Sequence, residues 1–327
     1  MTSTITWHGA VVLGNDQSAE RTIRATTEDY LFLRQTEQLS PASIKLYRFV
    51  FRIFMEFFGP DTDMATVDVS DLRRFMAEIY GRRYKPATIE LLYNVLTIFF
   101  RWLEMDEVIH RNPMLMISKP KKPKSFPHYF SQEQVQKLLS GCHHTWTGQR
   151  ARAILLTFLG TGIRVSELAS LKMSSVNLGS RTMKVVGKGS KDRVVPIGHF
   201  LVNELERWFK SRAKFLRGEE HESLFVTKLY TAPAKNGIYN LVARMGERTG
   251  IVGVRCSPHT LRHTFATRFI QNGGDIYTLQ KILGHKNPNT TGVYVHLALS
   301  DLRDSFDQHD PLPGFVESLG LERRFQA

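Results

Sequence analysis

The run Lys119-Pro120-Lys121-Lys122-Pro123-Lys124 constrains the fold of this chain more than any other feature. Each proline removes a backbone donor and fixes φ, so neither a helix nor a central strand passes through it. The lysines repel one another and extend the segment. The run divides the 327 residues into two stretches, each long enough to bury its own core. Residues 113–127 are therefore expected to form an extended basic linker. Two folded units joined this way can close around a rod-shaped partner. The linker by itself fits an ordinary spacer equally well.

Charge is distributed unevenly about that linker. The chain holds 44 Lys and Arg against 31 Asp and Glu, a formal +13. Residues 1–112 carry 13 basic and 15 acidic side chains, residues 128–300 carry 24 and 10, and residues 301–327 carry three and six. The excess sits in the second unit and points to a polyanionic partner, nucleic acid first. A basic protein that is merely soluble is the plain alternative. A hydrophobic content of 42% is too high for a disordered chain. No run of 18 apolar residues is present, so no membrane span is expected. Met1-Thr2-Ser3-Thr4-Ile5 lacks the basic-then-apolar layout of a secretory signal. Two cysteines, Cys142 and Cys256, cannot build a disulfide framework. A cytoplasmic protein is expected, rather than a membrane protein, a small secreted scaffold or a fibre.

Residues 1–19 are polar and aperiodic and are expected to be loose. Residues 20–112 read as a helical bundle. A helix from about Ala25 breaks at Ser40-Pro41, where Ser40 caps the next helix and Pro41 takes its first position. Ile44, Tyr47, Phe51, Phe54, Met55 and Phe58 recur at helical spacing up to Gly59-Pro60. Ser70-Asp71 is expected to open a third helix and Pro86 a fourth. The second unit, 128–300, starts with a helix capped by Ser131 and a buried helix over 151–160. Alternation predicts strands at 182–186 and 193–197, joined by the turn Gly187-Lys188-Gly189-Ser190-Lys191-Asp192. Helices are expected at 199–215, 236–249, 259–271 and 275–283. The fold class is mainly α with a small antiparallel β-hairpin in the second unit.

No phosphate-binding glycine loop of the ATPase or dinucleotide type is present, so no nucleotide cofactor is expected. His259 and His263 lie four apart on a helix, and Cys142-His143-His144 and Cys256 are nearby candidate ligands. Arg262 sits between the two histidines, and the glutamate base of a zinc-protease helix is missing, so no metal is expected either. What remains is a set of Arg, Lys, His and Tyr. Gly162 permits a tight turn and Arg164 opens the next helix, where it can clamp an anion or simply pair with Glu167. Lys188 is a turn lysine that can reach a phosphate or donate a proton. His259 and Arg262 share a helix face, three residues apart. His285 follows Gly284 at a helix end, where it can act as a cap. Tyr294 is either a packing tyrosine or a nucleophile. Together they suit one chemistry. Arginines neutralise a phosphodiester, a phenolate attacks phosphorus, a histidine takes the phenol proton and a lysine protonates the leaving oxygen.

With Thr161–Leu168 (T-G-I-R-V-S-E-L), Gly187–Pro196 (G-K-G-S-K-D-R-V-V-P), His259–Thr267 (H-T-L-R-H-T-F-A-T), Leu283-Gly284-His285 and Tyr294, the chain resembles the tyrosine recombinase (phage integrase) family, and most its Xer-type members. The resemblance implies a core-binding domain and a catalytic domain that clamp double-stranded DNA in a C shape. It implies Arg164 and Arg262 on the scissile phosphate and Lys188 as general acid. It further implies His259 as acid/base, His285 as a phosphate hydrogen-bond donor, Tyr294 as nucleophile and Glu167 in support. It also implies a 3′-phosphotyrosyl link, a Holliday junction and a tetramer on DNA, without cofactor or metal. A second recombinase or accessory proteins are left open as partners. Gly292 stands where a bulkier residue is expected, which would loosen the helix carrying Tyr294. Leu297, Leu302 and Phe306 in the tail 301–327 and just before it suggest a helix that docks on a neighbouring subunit. A type IB topoisomerase-like enzyme and a non-catalytic DNA-binding protein are the alternatives.

Overall fold

Ser40 accepts a hydrogen bond from Ser43 N and Pro41 occupies the first helical position, so the break between α1 (Ile23–Thr36) and α2 (Pro41–Phe58) follows from two residues. The computed structural model describes residues 21–121, 127–187, 192–285, 289–292 and 294. The expectations for residues 1–19, the Lys188 turn, the middle of the linker and the tail lie outside them. The third helix, α3 (Val69–Gly81), begins one residue before the expected Ser70-Asp71. Asp68 is its cap, and Asp71 bonds back to the Asp68 N–H, a reciprocal capping box. Pro86 opens α4 (Pro86–Met105) as expected.

These helices bury Tyr30, Phe51, Phe54, Phe75, Phe99 and Phe100 in one aromatic core. Tyr30 meets Phe51 and Phe99 edge-on at 5.8 and 5.3 Å, and Phe54 meets Phe75 at 5.5 Å. Each buried ring contributes on the order of 2–3 kcal/mol. The same core also takes in Met114 and Ile117. Residues 113–116 form a 3-10 turn packed on α3 and α4, and Tyr93 Oη donates to Ile117 O at 3.0 Å. The linker expected from residue 113 therefore starts later, because its first residues are apolar and complete the bundle.

The chain divides into two compact units, 1–125 and 126–327. In the second, α5 (Gln132–Ser140) carries the expected Ser131 cap, closed reciprocally by Gln134. Helix α6 (Trp146–Thr161) runs through the core and packs on α8 (His199–Leu216) and α10 (Pro258–Gln271). The short α7 (Val165–Ala169) leads to a three-stranded antiparallel sheet. Its order is β1 (Val176–Asn177), β2 (Thr182–Val186), β3 (Asp192–Pro196). The two-residue β1 is too short to leave an alternating pattern in the sequence. Met183, Val185 and Val195 face the core, while Lys184, Val186 and Val194 face outward. Helices α9 (Lys235–Arg248), α11 (Ile276–Leu283) and α12 (Asn289–Gly292) complete the described part of the unit. Among the described residues no helix is long and apolar enough to cross a membrane.

Candidate active site

Helix α6 ends because Gly162 takes the left-handed conformation, φ 61°. A Cβ there would lie 2.3 Å from Phe265 and 2.8 Å from Leu283, so only glycine lets the turn approach α10 and α11 this closely. That approach brings together residues 100 or more apart in sequence. Arg262, on the inner face of α10, is 6% exposed. It donates through Nη1 to Gly162 O at 2.6 Å and through Nη2 to Leu283 O at 2.9 Å. Arg164, the residue before α7, donates through Nη2 to the next carbonyl, Gly284 O, at 3.2 Å. Two guanidiniums are thus anchored on successive carbonyls at the C-terminus of α11, where the helix dipole favours cations. Arg164 keeps 37% of its side chain exposed.

Glu167 joins this group from α7. Its carboxylate accepts from the Arg164 N–H (2.7 Å) and Arg164 Nη1 (3.0 Å). It also accepts from Arg193 Nη1 (2.7 Å) and Nη2 (3.0 Å). The helix-start pairing of Arg164 with Glu167 weighed from the sequence is therefore real, and it leaves the far edge of Arg164 open. Burial pushes the Glu167 carboxyl upward, but the bonds from Arg193 and the Arg164 backbone, with both charges, outweigh it and hold the pKa below the ordinary value. Three guanidiniums face one carboxylate. The surplus is positive and suits an anion.

The same surplus keeps the histidines neutral. His285 Nε2 lies 2.8 Å from Arg262 Nη2, which can only donate, so Nε2 accepts and Nδ1 carries the proton toward Thr291 Oγ1 at 2.9 Å. Burial, then Arg262, Arg164 and Arg193, push the His285 pKa down to about 4. His259 is exposed at the start of α10, and partial desolvation with Arg262, Arg255 and Arg164 lowers its pKa. A neutral imidazole there can accept a proton. Burial lowers the Arg262 pKa to about 10, which still leaves it charged at neutral pH.

Tyr294 is 1% exposed and packs on Ala266, Ile270, Leu279 and Leu283. It is more deeply buried than an ordinary packing tyrosine. Its N–H donates to Thr291 O at 3.0 Å, so Thr291 links it to His285. The hydroxyl lies 2.5 Å from His263 Nδ1 rather than on an arginine or His259. Burial raises the phenol pKa to about 12, against the lowering effect of Arg262. Burial, with His259 and Arg262, pushes the His263 pKa down to about 4.

The structure thus gathers Arg164, Glu167, Arg262 and His285 in one network, with His259 close enough to feel both arginines. Tyr294 is adjacent through Thr291, and Lys188 lies outside the described residues. Two members escaped the sequence reading. His263 was weighed only as a metal ligand beside His259, and its partner is 31 residues away. Arg193 lies in the core-facing phase of β3, two residues before buried Val195, and a charged residue in that phase is the signal that marks it. Among the described residues no group of three or more His, Cys, Asp or Glu is placed to hold a metal ion, and Cys142 and Cys256 are free thiols.

A stability prediction follows from the histidines. Unfolded, His263 and His285 protonate near pH 6.5, but in the folded chain they resist protonation down to about pH 4. Between those values the unfolded state binds more protons, so stability falls as pH falls from about 6.5 to 4. Each imidazole contributes roughly 1–2 kcal/mol to that loss after allowing for partial exposure. Thermal melting across this range should show it, and the His263→Asn and His285→Asn variants should each have a flatter profile than wild type.

Residues 128–300 match the phage integrase family. The tyrosine recombinase XerC of Oceanobacillus iheyensis is 31% identical over 286 residues, covering 86% of this chain and 93% of that protein. XerC of Haemophilus influenzae is 33% identical over 282 residues, covering 86% and 95%. XerD of Listeria monocytogenes is 31% identical over 291 residues, covering 87% and 98%. Among solved structures, the Tn1549 transposon integrase in complex with transposon right end DNA superposes with a TM-score of 0.72 at 19% identity, covering 88% of this chain and 99% of that one. The XerH site-specific recombinase bound to its palindromic difH substrate gives 0.70 at 22% identity, covering 85% and 82%. With an arginine-rich site inside the matched region and Xer-type relatives along most of its length, this chain belongs to the phage integrase family and is a tyrosine-type site-specific recombinase.

Proposed function

We propose that this recombinase binds double-stranded DNA and exchanges strands through a 3′-phosphotyrosyl link on Tyr294. The observation that carries the reading is the pair of guanidiniums, Arg164 and Arg262, held on the adjacent carbonyls of Gly284 and Leu283. Held this way, they present two cations to one tetrahedral anion and neutralise the charge that grows as phosphorus becomes five-coordinate. The open edge of Arg164 takes one non-bridging oxygen and Arg262 the other. To support the phosphate, His285 exchanges its Nδ1–H bond to Thr291 Oγ1 for a phosphate oxygen, while Nε2 keeps its bond from Arg262. Neutral His259 accepts the phenol proton. Lys188 protonates the departing 5′-oxygen. The phenol oxygen forms the new P–O bond and the 5′-oxygen leaves, so the bond energy is kept and no cofactor or metal is required. Attack requires Tyr294 to exchange its His263 hydrogen bond for the phosphate.

On this reading, residues 20–112 form a core-binding domain and residues 128–300 the catalytic domain, and both bind the duplex. The basic linker and the positive catalytic unit supply phosphate affinity. A 5′-hydroxyl from a second duplex reverses the step, through a Holliday junction in a tetramer acting at the nucleoid. The relatives do not favour a topoisomerase-like or a non-catalytic role.

Incubation with nicked suicide duplexes, drawn from the DNA flanking the gene, tests this. The expected result is a denaturant-stable protein–DNA adduct whose nucleotide remnant maps to the peptide containing Tyr294. Tight binding without any adduct, or a remnant on another residue, overturns it.

A further inference from the structure

Arg193 occupies every nitrogen of its guanidinium within the protein. Nη1 and Nη2 form a two-pronged bond to both oxygens of Glu167, and Nε donates to Ile282 O at 2.7 Å. Its side chain is 15% exposed, less than half the figure for Arg164. With every nitrogen engaged, it cannot take a substrate phosphate without unpairing a buried carboxylate. Three separate pieces of chain meet on it. These are strand β3, which carries it, the start of α7 through Glu167, and the C-terminal turn of α11 through Ile282. The next two carbonyls of that turn hold Arg262 and Arg164. Gly284 completes the fit, because a Cβ there would lie 3.1 Å from Arg193 Cδ, Nε and Nη1.

We infer that Arg193 is a positioning residue that sets the geometry of Arg164 through Glu167 and ties the β-hairpin to the turn on which both phosphate-binding arginines rest. The inference rests on the proposed phosphate-binding role of Arg164 and Arg262. Glu167 is 2% exposed and divides its oxygens evenly between the two arginines. Without Arg193 the carboxylate keeps a hydrogen bond to one arginine only, and it draws Arg164 inward, away from a substrate anion. A lysine cannot replace it, since one ammonium cannot form the two-pronged bond and reach Ile282 O together.

The test uses full-length Arg193→Met, Arg193→Lys, Glu167→Gln and the Arg193→Met/Glu167→Gln double variant. Single-turnover cleavage of the nicked duplex should slow about 10–100-fold in both Arg193 variants. DNA affinity should stay within about threefold, and the slope of affinity against salt should not change. The double variant should be no slower than the slower single variant, because the two residues act as one unit. A salt slope reduced by about one makes Arg193 a DNA contact and overturns the inference. Rate losses that multiply in the double variant, or a lower melting temperature with an unchanged rate, also overturn it. Arg193→Lys keeps the charge and serves if the Met variant does not fold. An activity-independent measurement separates this inference from the reading it rests on. In ¹⁵N-arginine-labelled protein without DNA, the Arg164 guanidinium signal, assigned by its loss in Arg164→Lys, should shift or broaden in Arg193→Met. A wild-type protein that forms no adduct overturns the proposed chemistry, while an unchanged Arg164 signal overturns the coupling.

Discussion

Tyr294→Phe is expected to abolish the covalent adduct on a nicked duplex, to below detection on a denaturing gel, while leaving non-covalent DNA affinity within about threefold. The first effect follows from the proposed role of the phenol oxygen as the atom that attacks phosphorus, and among the described residues the adjacent Thr291 hydroxyl is not placed to replace it. Thr291 is buried, and its Oγ1 accepts from His285. The second follows because phosphate affinity comes from cations, and the ring itself is retained. The variant should also be slightly less stable. Phe fills the pocket formed by Ala266, Ile270, Leu279 and Leu283, but it leaves His263 Nδ1 without its 2.5 Å partner. Losing that bond costs about 1 kcal/mol, readable as a small fall in melting temperature. Persistence of an adduct in Tyr294→Phe overturns the assignment of the nucleophile. The raised phenol pKa, about 12, means that the buried hydroxyl is protonated at working pH. On the proposed mechanism, activation then belongs to the DNA-bound state, where the phenolate comes under the influence of the arginines.

Arg262→Lys is expected to lower the cleavage rate by roughly 10²–10³-fold and to destabilise the second unit by about 2 kcal/mol. The guanidinium fork reaches Gly162 O, Leu283 O and His285 Nε2 together. An ammonium on a flexible stem cannot span both carbonyls from the same position, so at least one buried acceptor loses its donor. His285 then also loses the contact that specifies its tautomer. The stability loss should appear in thermal melting and the rate loss in single-turnover cleavage at saturating DNA. A variant with wild-type cleavage would show that Arg262 holds the fold together without touching the phosphate. Arg262→Met should be worse on both measures, since it leaves all three partners unpaired and removes the charge.

Several parts of this molecule are legible in the sequence because their cause lies within four residues. The Ser40-Pro41 break, the Pro86 start, the Ser131 cap and the Gly162 and Gly284 helix ends are of this kind. Each depends on a local donor, a missing donor or a positive φ. The alternation of β2 and β3 is legible for the same reason, since a strand's burial period is two. The motif residues Arg164, Glu167, Arg262 and His285 are recognisable by type and spacing, and the structure brings them into one network at the α11 turn. The misplaced boundaries are informative too. Asp68 was missed as a cap because Ser70-Asp71 offers the same chemistry two residues later. Met114 and Ile117 were assigned to the linker because the prolines and lysines beyond them dominate the local composition.

The amino-acid sequence by itself determined the division at the Lys/Pro run, the positive second unit, the main helices and the residue types that can carry phosphoryl transfer. Only the tertiary structure decided which side chains share a hydrogen bond. Arg262 meets Gly162 across 100 residues, Arg164 meets Gly284 across 120, Arg193 meets Glu167 across 26 and Tyr294 meets His263 across 31. The physical reason is one of range. Helix caps and strand phase are set by neighbours along the chain, whereas the partners of a buried charge are set by which elements the core packs against one another.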